Sequence, residues 1–378
     1  MLTTEALAAR HIPFTELRYS TEAFIDYCIP ECKPKFNYAL IGPGVSQNPK
    51  QPINLREPHG FQVGGVSIPH GKINPAHMHF TCEVFMCVRG SWRIRWGFNP
   101  EELHADIGAG DIVSVPTWIY RGFTNVGVDD GFMFTALGGD HTGGILWGPT
   151  TLAAAQAQGV YLTEDYRIVD TTRGDRLGPD TPLLQPMTPE EIGALRRWSP
   201  EAMARRIVRF ADLQWAEHSL LDASLPGGGG QIAPVIGCGI VEDRDAQAPV
   251  VNPHGLSIEW LRLPAGGGVA RHRLSEKQVL IVKQGRIELS VEGADGSLQR
   301  ELVGADAAWD TFAIPDSHWR RLRQVGEAPA LALLLTSGDH RKRIQWSAEV
   351  VEAASARGLA RDANGYIAPR RFVERAQR

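Results

Sequence analysis

Apolar and polar positions alternate in short bursts along this chain. The runs FQVGGVSI (61–68), CEVFMCV (82–88), WRIRWG (92–97), DIVSVP (111–116) and GFMFTAL (131–137) are bounded by Gly, Pro, Asn or Asp. Runs of this length with turn residues at their ends predict short β-strands. Many short strands at close spacing predict a sandwich or barrel. Helix signals are few. Thr188-Pro189-Glu190-Glu191 is a capping box with Pro at the first helical position, and Ser199-Pro200-Glu201 repeats the idea. They predict short helices over about 189–197 and 200–210. Ala-rich stretches near 150–158 and 349–357 predict one more helix each, stopped by Gly159 and Gly358.

The pattern occurs twice. PFTELRY (13–19) matches RFADLQW (209–215), and Ile41-Gly42-Pro43-Gly44 matches Ile236-Gly237-Cys238-Gly239. Pro58-His59-Gly60-Phe61 matches Pro253-His254-Gly255-Leu256, and His77 matches His272. Past an inserted hairpin tip, EGADGS (292–297), Pro116 matches Pro315, Arg121 matches Arg320, and Gly139-Asp140-His141 matches Gly338-Asp339-His340. A long, nearly gap-free self-match implies a duplicated domain. The expected organisation is an N-terminal domain over 11–170, a linker with two short helices over 171–206, and a C-terminal domain over 207–368.

Composition narrows the function classes. The chain has 378 residues, 43% hydrophobic and 22% charged, with 40 Gly and 25 Pro. That is ordinary for a globular protein rich in turns. A net charge of −4 gives no basic field for a phosphate backbone, so no nucleic-acid partner is expected. The N-terminus has no apolar core and no stretch of about 18 apolar residues occurs, so no membrane partner is expected and the chain reads as cytoplasmic. Five Cys, an odd number, fit reduced thiols better than a disulfide framework. Lys33 and Lys35 read as a solvated loop.

Repeat one carries Gly71, five residues, His77-Met78-His79, three residues, Glu83, six residues and Gly90. This spacing, G-x5-H-x-H-x3-E-x6-G, is the first cupin motif, and the chain resembles the bicupin branch of the cupin superfamily over most of both repeats. The resemblance implies an all-β fold of tandem cupin (jelly-roll β-barrel) domains with short bridging and terminal helices. It also implies a divalent ion on His77, His79 and Glu83. Strand alternation agrees, since positions 77, 79, 81, 83, 85 and 87 of one strand would share a face. Two imidazoles and a carboxylate on one face suit a first-row divalent metal.

The second cupin motif, G-x5-P-x-G-x2-H-x3-N, is partly kept as Gly110, Pro116, Trp118, Arg121 and Asn125. Arg121 stands where a histidine ligand is expected, and a guanidinium cannot ligate a cation. His141 or His59 could supply a replacement ligand. Arg121 reads as an anion clamp for substrate, or as an ion pair with Glu83, or, since Arg320 repeats it, as a barrel-building residue. PTWIYRGFTN is similar to a segment of gentisate-type ring-cleaving dioxygenases, which makes Trp118, Tyr120 and Phe85 candidate pocket walls. In repeat two the matching positions read His272, Leu274, Gln278 and Arg320, too few ligands for a metal. A degenerate site around His272, Gln278, His318 and Arg320 is left. The outward residues Met78, Phe80, Cys82, Val84, Met86 and Val88 are apolar, so the linker or a second subunit should cover them; a homodimer or higher homo-oligomer is expected. In repeat two Arg273, Ser275 and Lys277 imply a partly solvated face.

The expected function is a metal-dependent bicupin oxidoreductase, an Fe(II) dioxygenase acting on a small anionic aromatic or diketo substrate. The alternatives are a non-redox isomerase, hydrolase or lyase using Mn(II), Zn(II) or Ni(II), and a non-catalytic ligand-binding bicupin. Cupins host many chemistries, so fold does not choose among them.

Overall fold

The computed structural model describes residues 1–97, 103–306 and 308–376. The chain divides into two compact units, Leu17–Ala211 and Met1–Glu16 together with Asp212–Arg378. In both, the strands pair almost wholly antiparallel. The first strand of each repeat lies in the unit formed mainly by the other. His11–Ile12 pairs with Thr311–Ile314, and the matched Ile207–Val208 pairs with Ile112–Val115. The repeats in the sequence and the packed units therefore have different boundaries.

The first unit's barrel is made of two sheets. Among the described residues one has eight strands and the other five. Their facing sides meet in a core of Val66, Ile68, Phe85, Cys87, Trp92, Ile94, Phe123 and Met133. Cys87 is thus a small core side chain. In the second unit the corresponding interior holds Leu261, Leu263, Leu280, Val282, Leu289 and Phe312.

The expected helices form, the two in the linker shorter than expected and the two Ala-rich ones shifted by one residue. They run Pro189–Gly193, Pro200–Ala204, Pro149–Ala157 and Ala348–Ala356, and the Thr188–Glu191 capping box closes reciprocally. The Pro189–Gly193 helix explains part of the apolar outer face of the first barrel. Ile192 packs against Met78 and Tyr120, so the linker covers this part of the sheet. Ser275 is exposed and Arg273 and Lys277 are half-buried at the matching face of repeat two. No described helix is long and apolar enough to cross a membrane, and none of the five cysteines is joined in a disulfide.

Candidate metal centre

The ligand residues do not share one strand. His77 and His79 end the strand Ile73–His79 of the five-stranded sheet; Glu83 opens the strand Glu83–Arg89 of the eight-stranded sheet. Phe80, Thr81 and Cys82 carry the chain from one sheet to the other. Single-strand alternation is therefore the wrong reason for the convergence. The three side chains meet because the two sheets face each other across the barrel. His77 lies between Arg121 and Trp147 in register, and Glu83 between Val115 and Leu137.

All three are buried, and one ligand atom from each lies within 4.8 Å of the others. Glu83 Oε2 is 3.5 Å from His79 Nε2 and 3.9 Å from His77 Nε2. The other ring nitrogens face backbone carbonyls: His77 Nδ1 is 2.8 Å from the Pro75 oxygen, and His79 Nδ1 is 3.4 Å from that of Gly144. A carbonyl only accepts, so it favours the proton on Nδ1 and leaves the Nε2 lone pair turned toward Glu83. That is the tautomer a metal ligand needs. Burial pulls His79 down to about 3, so it is neutral at neutral pH. Burial would raise the Glu83 carboxyl, but His79, His77 and Arg121 outweigh it and hold it at about 2. Neutral imidazole and ionised carboxylate are the states metal binding requires. The donor set thus fits a divalent first-row ion, with His77, His79 and Glu83 holding it.

Behind His77 lies a polar chain. Lys35 is 3% exposed, and Asp26 is fully buried. The Lys35 ammonium donates to Asp26 Oδ2 and to Asn74 Oδ1 (2.7 Å). An ammonium only donates, so the Asn74 amide nitrogen is turned to His77 Nδ1, 3.1 Å away. It can donate to that nitrogen only in the other tautomer. Lys35 is therefore not part of a solvated loop, as its charge suggests; Lys33 is. The ion pair with Asp26 offsets the cost of burying it.

Arg121 is wholly buried. Nη1 is 3.4 Å from Glu83 Oε2, Nη2 donates to the Pro116 carbonyl (2.5 Å), and Nε donates to that of Ile119 (3.2 Å). A cavity of about 90 Å³ opens beside the triad, lined by His77, His79 and Glu83 but not by Arg121. The expected walls also lie elsewhere. Trp118 is 46% exposed, with a left-handed φ of 55°, and meets Phe80 edge-on. Tyr120 packs on the outer face with Met78 and Ile192, and Phe85 sits in the core against Phe123. His141 is exposed. His59 is buried with Nδ1 against the Glu57 carbonyl. Neither lines the cavity, and neither belongs to the described group that could hold a metal. Asp140 accepts from the His59 and Gly60 amides, and Asp339 from those of His254 and Gly255, so the Gly-Asp-His segments are turn clasps in both repeats.

The matched place in repeat two is different. His272 Nδ1 faces the Ala270 carbonyl, and burial pulls it down to about 3. Gln278 donates to Thr336 Oγ1 (3.0 Å), and His318 Nε2 accepts from the Leu2 amide (3.1 Å). Arg320 donates from Nη1 to the Pro315 carbonyl (3.1 Å), while its Nε and Nη2 have no partner among the described residues.

No family model matches this sequence, and no curated protein matches it. Solved structures do match. Oxalate decarboxylase of Lactobacillus farciminis, in a formate complex, is 13% identical with a TM-score of 0.50, covering 88% of this chain and 86% of that one. A point mutant of Bacillus subtilis oxalate decarboxylase is 12% identical with a TM-score of 0.50, covering 88% and 78%. At these identities the likeness speaks to the fold, and the fold is that of a bicupin: two cupin barrels in tandem.

Proposed function

We propose that the first barrel is the metal centre of a bicupin enzyme, an Fe(II)-type oxygenase that opens a small diketo compound. The observation that carries this is the buried group His77, His79 and Glu83, preset as two imidazoles and one carboxylate within 4.8 Å. Two His and one carboxylate with further positions open is the ligand set of non-haem Fe(II) oxygenases. A divalent ion there supplies Lewis acidity and positions for substrate and oxygen.

The chain's own residues do the rest. Arg121 holds Glu83 ionised and fixed. Pro75 and Gly144 aim the imidazoles, and Trp147, its ring 5.7 Å from that of His77, closes one wall. Size orders the candidates: the cavity is about 90 Å³, smaller than the cavity of about 150 Å³ that holds benzene, and a short diketo compound is smaller than an aromatic ring bearing a carboxylate. That favours a diketo compound over an aromatic acid. The likeness to gentisate-type enzymes rested partly on Trp118 and Tyr120, neither of which lines the cavity.

A second reading keeps the metal without oxygen. The fold neighbours are named for decarboxylating oxalate, a substrate of similarly small size, so redox-neutral C–C cleavage of a small acid fits the same cavity.

The test is metal content by plasma mass spectrometry on wild type and a His77→Ala/His79→Ala variant, followed by oxygen-electrode assays with Fe(II) and pentane-2,4-dione. About one metal per chain, lost in the variant, with oxygen uptake, is expected. Metal without oxygen uptake, together with CO2 release from oxalate, would select the second reading. No metal in wild type after reconstitution would end both.

A further inference from the structure

The cavity has a second polar end. Asn37 and Gln51 both line it, 8% and 6% exposed. Asn37 is in register with Val66, whose side chain joins the interior core. Gln51 Nε2 donates to the Asn37 backbone carbonyl (2.9 Å). That bond fixes the amide, so Oε1 is the atom left over, and it has no partner among the described residues. Asn37 Nδ2 has none either. A buried donor or acceptor left without a partner is destabilising unless something completes it.

Repeat two supplies an internal control. At the matched positions it has Ile232 for Asn37 and Ala246 for Gln51. The same repeat has Leu274 for His79 and Gln278 for Glu83. The amide pair and the ligand set are present together in one barrel and replaced together in the other. A purely structural amide pair would have no reason to follow the ligands.

We propose that Asn37 and Gln51 are a substrate subsite that reads a neutral carbonyl group bearing its own N–H or O–H. The carbonyl accepts from Asn37, and the N–H or O–H donates to Gln51 Oε1. A carboxamide and a protonated carboxyl have this chemistry. The proposal rests on the metal reading of the triad, which takes the other end of the same molecule. A carboxylate is disfavoured at the amide end. No Lys or Arg is among the lining residues, and a carboxylate would face the Gln51 lone pairs with its charge desolvated.

The experiment is calorimetric titration of the full chain loaded with redox-inert Zn(II), using malonamate, acetoacetate and malonate. These three are isosteric and carry NH2, CH3 or O⁻ at one end. Malonamate should bind about tenfold tighter than the other two, because they leave Gln51 unpaired or repelled. In an Asn37→Ile/Gln51→Ala variant, which takes the repeat-two residues, the three should agree within about twofold. Equal binding to wild type, or a preference that survives in the variant, would overturn the proposal. If the double variant melts far below wild type, Asn37→Ile alone replaces it. If wild type takes up no Zn(II), the metal reading fails, and the subsite is tested on the metal-free chain with acetamide, acetone and acetate by saturation-transfer NMR. A preference for acetamide that disappears in the variant sustains the subsite; equal binding rejects it.

Discussion

Where the first barrel has Gly64, the second has Glu259. Gly64 lines the cavity, on the same face of its strand as Val66 and Ile68. The Glu259 carboxylate reaches the backbone N–H groups of Ile240 (2.8 Å) and Val241 (3.3 Å). The matched residues of the first barrel, Val45 and Ser46, line its cavity. One side chain thus fills in repeat two the space left open in repeat one. The buried arginine is kept in both, and in both it donates to the carbonyl of the matched proline, Pro116 or Pro315. Among the described residues Arg121 makes a direct ion pair, with Glu83, while Glu276 and Asp316 act on Arg320 without pairing with it. The pair teaches that the arginine belongs to the barrel, whereas Glu83, the open space at Gly64 and the two amides belong to the site.

The sharpest way to break this comparison is to give barrel one the residue of barrel two at its ligand. Glu83→Gln should lower metal content from about one per chain to none, since an amide is a poor ligand for a first-row ion. It also leaves the Arg121 guanidinium without an ionised partner, which for a buried pair costs about 3 kcal/mol or more. Plasma mass spectrometry and urea unfolding read the two effects. A variant that keeps its metal would mean that the carboxylate is not a ligand.

Gly64→Glu imports the plug without touching a ligand. A Cβ at this position would sit 2.9 Å from Thr135 Oγ1 and 3.1 Å from the Tyr38 carbonyl. Overpacking of this kind costs about 1–3 kcal/mol. The expected outcome is a folded, somewhat less stable protein that still takes up metal but no longer binds malonamate, as titration would show. Retained malonamate binding would place the ligand outside the cavity.

How much of this was legible in the sequence follows from what kind of signal each residue leaves. The duplication and the triad have fixed spacing, and spacing survives without coordinates. Asn37, Gln51, Lys35 and Asp26 lie far from the motif in sequence, and only the folding of a strand, two loops and a turn brings them to it. Lys35 reads as surface because its counter-ion, in a short 3-10 turn, has no sequence mark. Trp118 and Tyr120 follow a proline in a turn that Trp118 enters with a left-handed backbone, so alternation does not place them. One signal could have found the amides. Comparison of the repeats shows Asn37 against Ile232 and Gln51 against Ala246, polar only where the ligands are kept.

The barrels should also part company with pH. Burial pushes Glu259 and Asp222, both in the second unit, up to about 7. A carboxyl raised on folding contributes stability that is full below its unfolded value, near 4, and is lost as pH rises through the folded one. Glu83 at about 2 has the opposite sign. Its contribution is full above about 4.3 and is lost only as pH falls through the folded value. Between pH 6 and 8 the second barrel should therefore weaken, by about 1 kcal/mol per acid, while Glu83 gives the first barrel no such slope. Amide hydrogen exchange at Leu334 and at Met86 would follow the two barrels separately. Glu259→Gln should flatten part of the slope at Leu334. Equal slopes at both positions would contradict the assignment.

The smallest expected effect tests the arginines by sign. Arg320 makes a single described hydrogen bond, to Pro315, while two of its nitrogens are buried without partners among the described residues. Arg320→Met removes that bond, worth about 1 kcal/mol, and also removes a desolvated charge that Glu276 and Asp316 offset without a direct ion pair among the described residues. Replacing buried charge with an apolar side chain of similar volume is often neutral or stabilising. The melting temperature should therefore stay level or rise slightly. Arg121→Met should lower it, because it strands Glu83 as a buried carboxylate and frees the Pro116 and Ile119 carbonyls. If both variants lose stability equally, the guanidinium of Arg320 is as well matched as that of Arg121, and Glu276 and Asp316 make good in the second barrel the carboxylate that Glu83 supplies in the first.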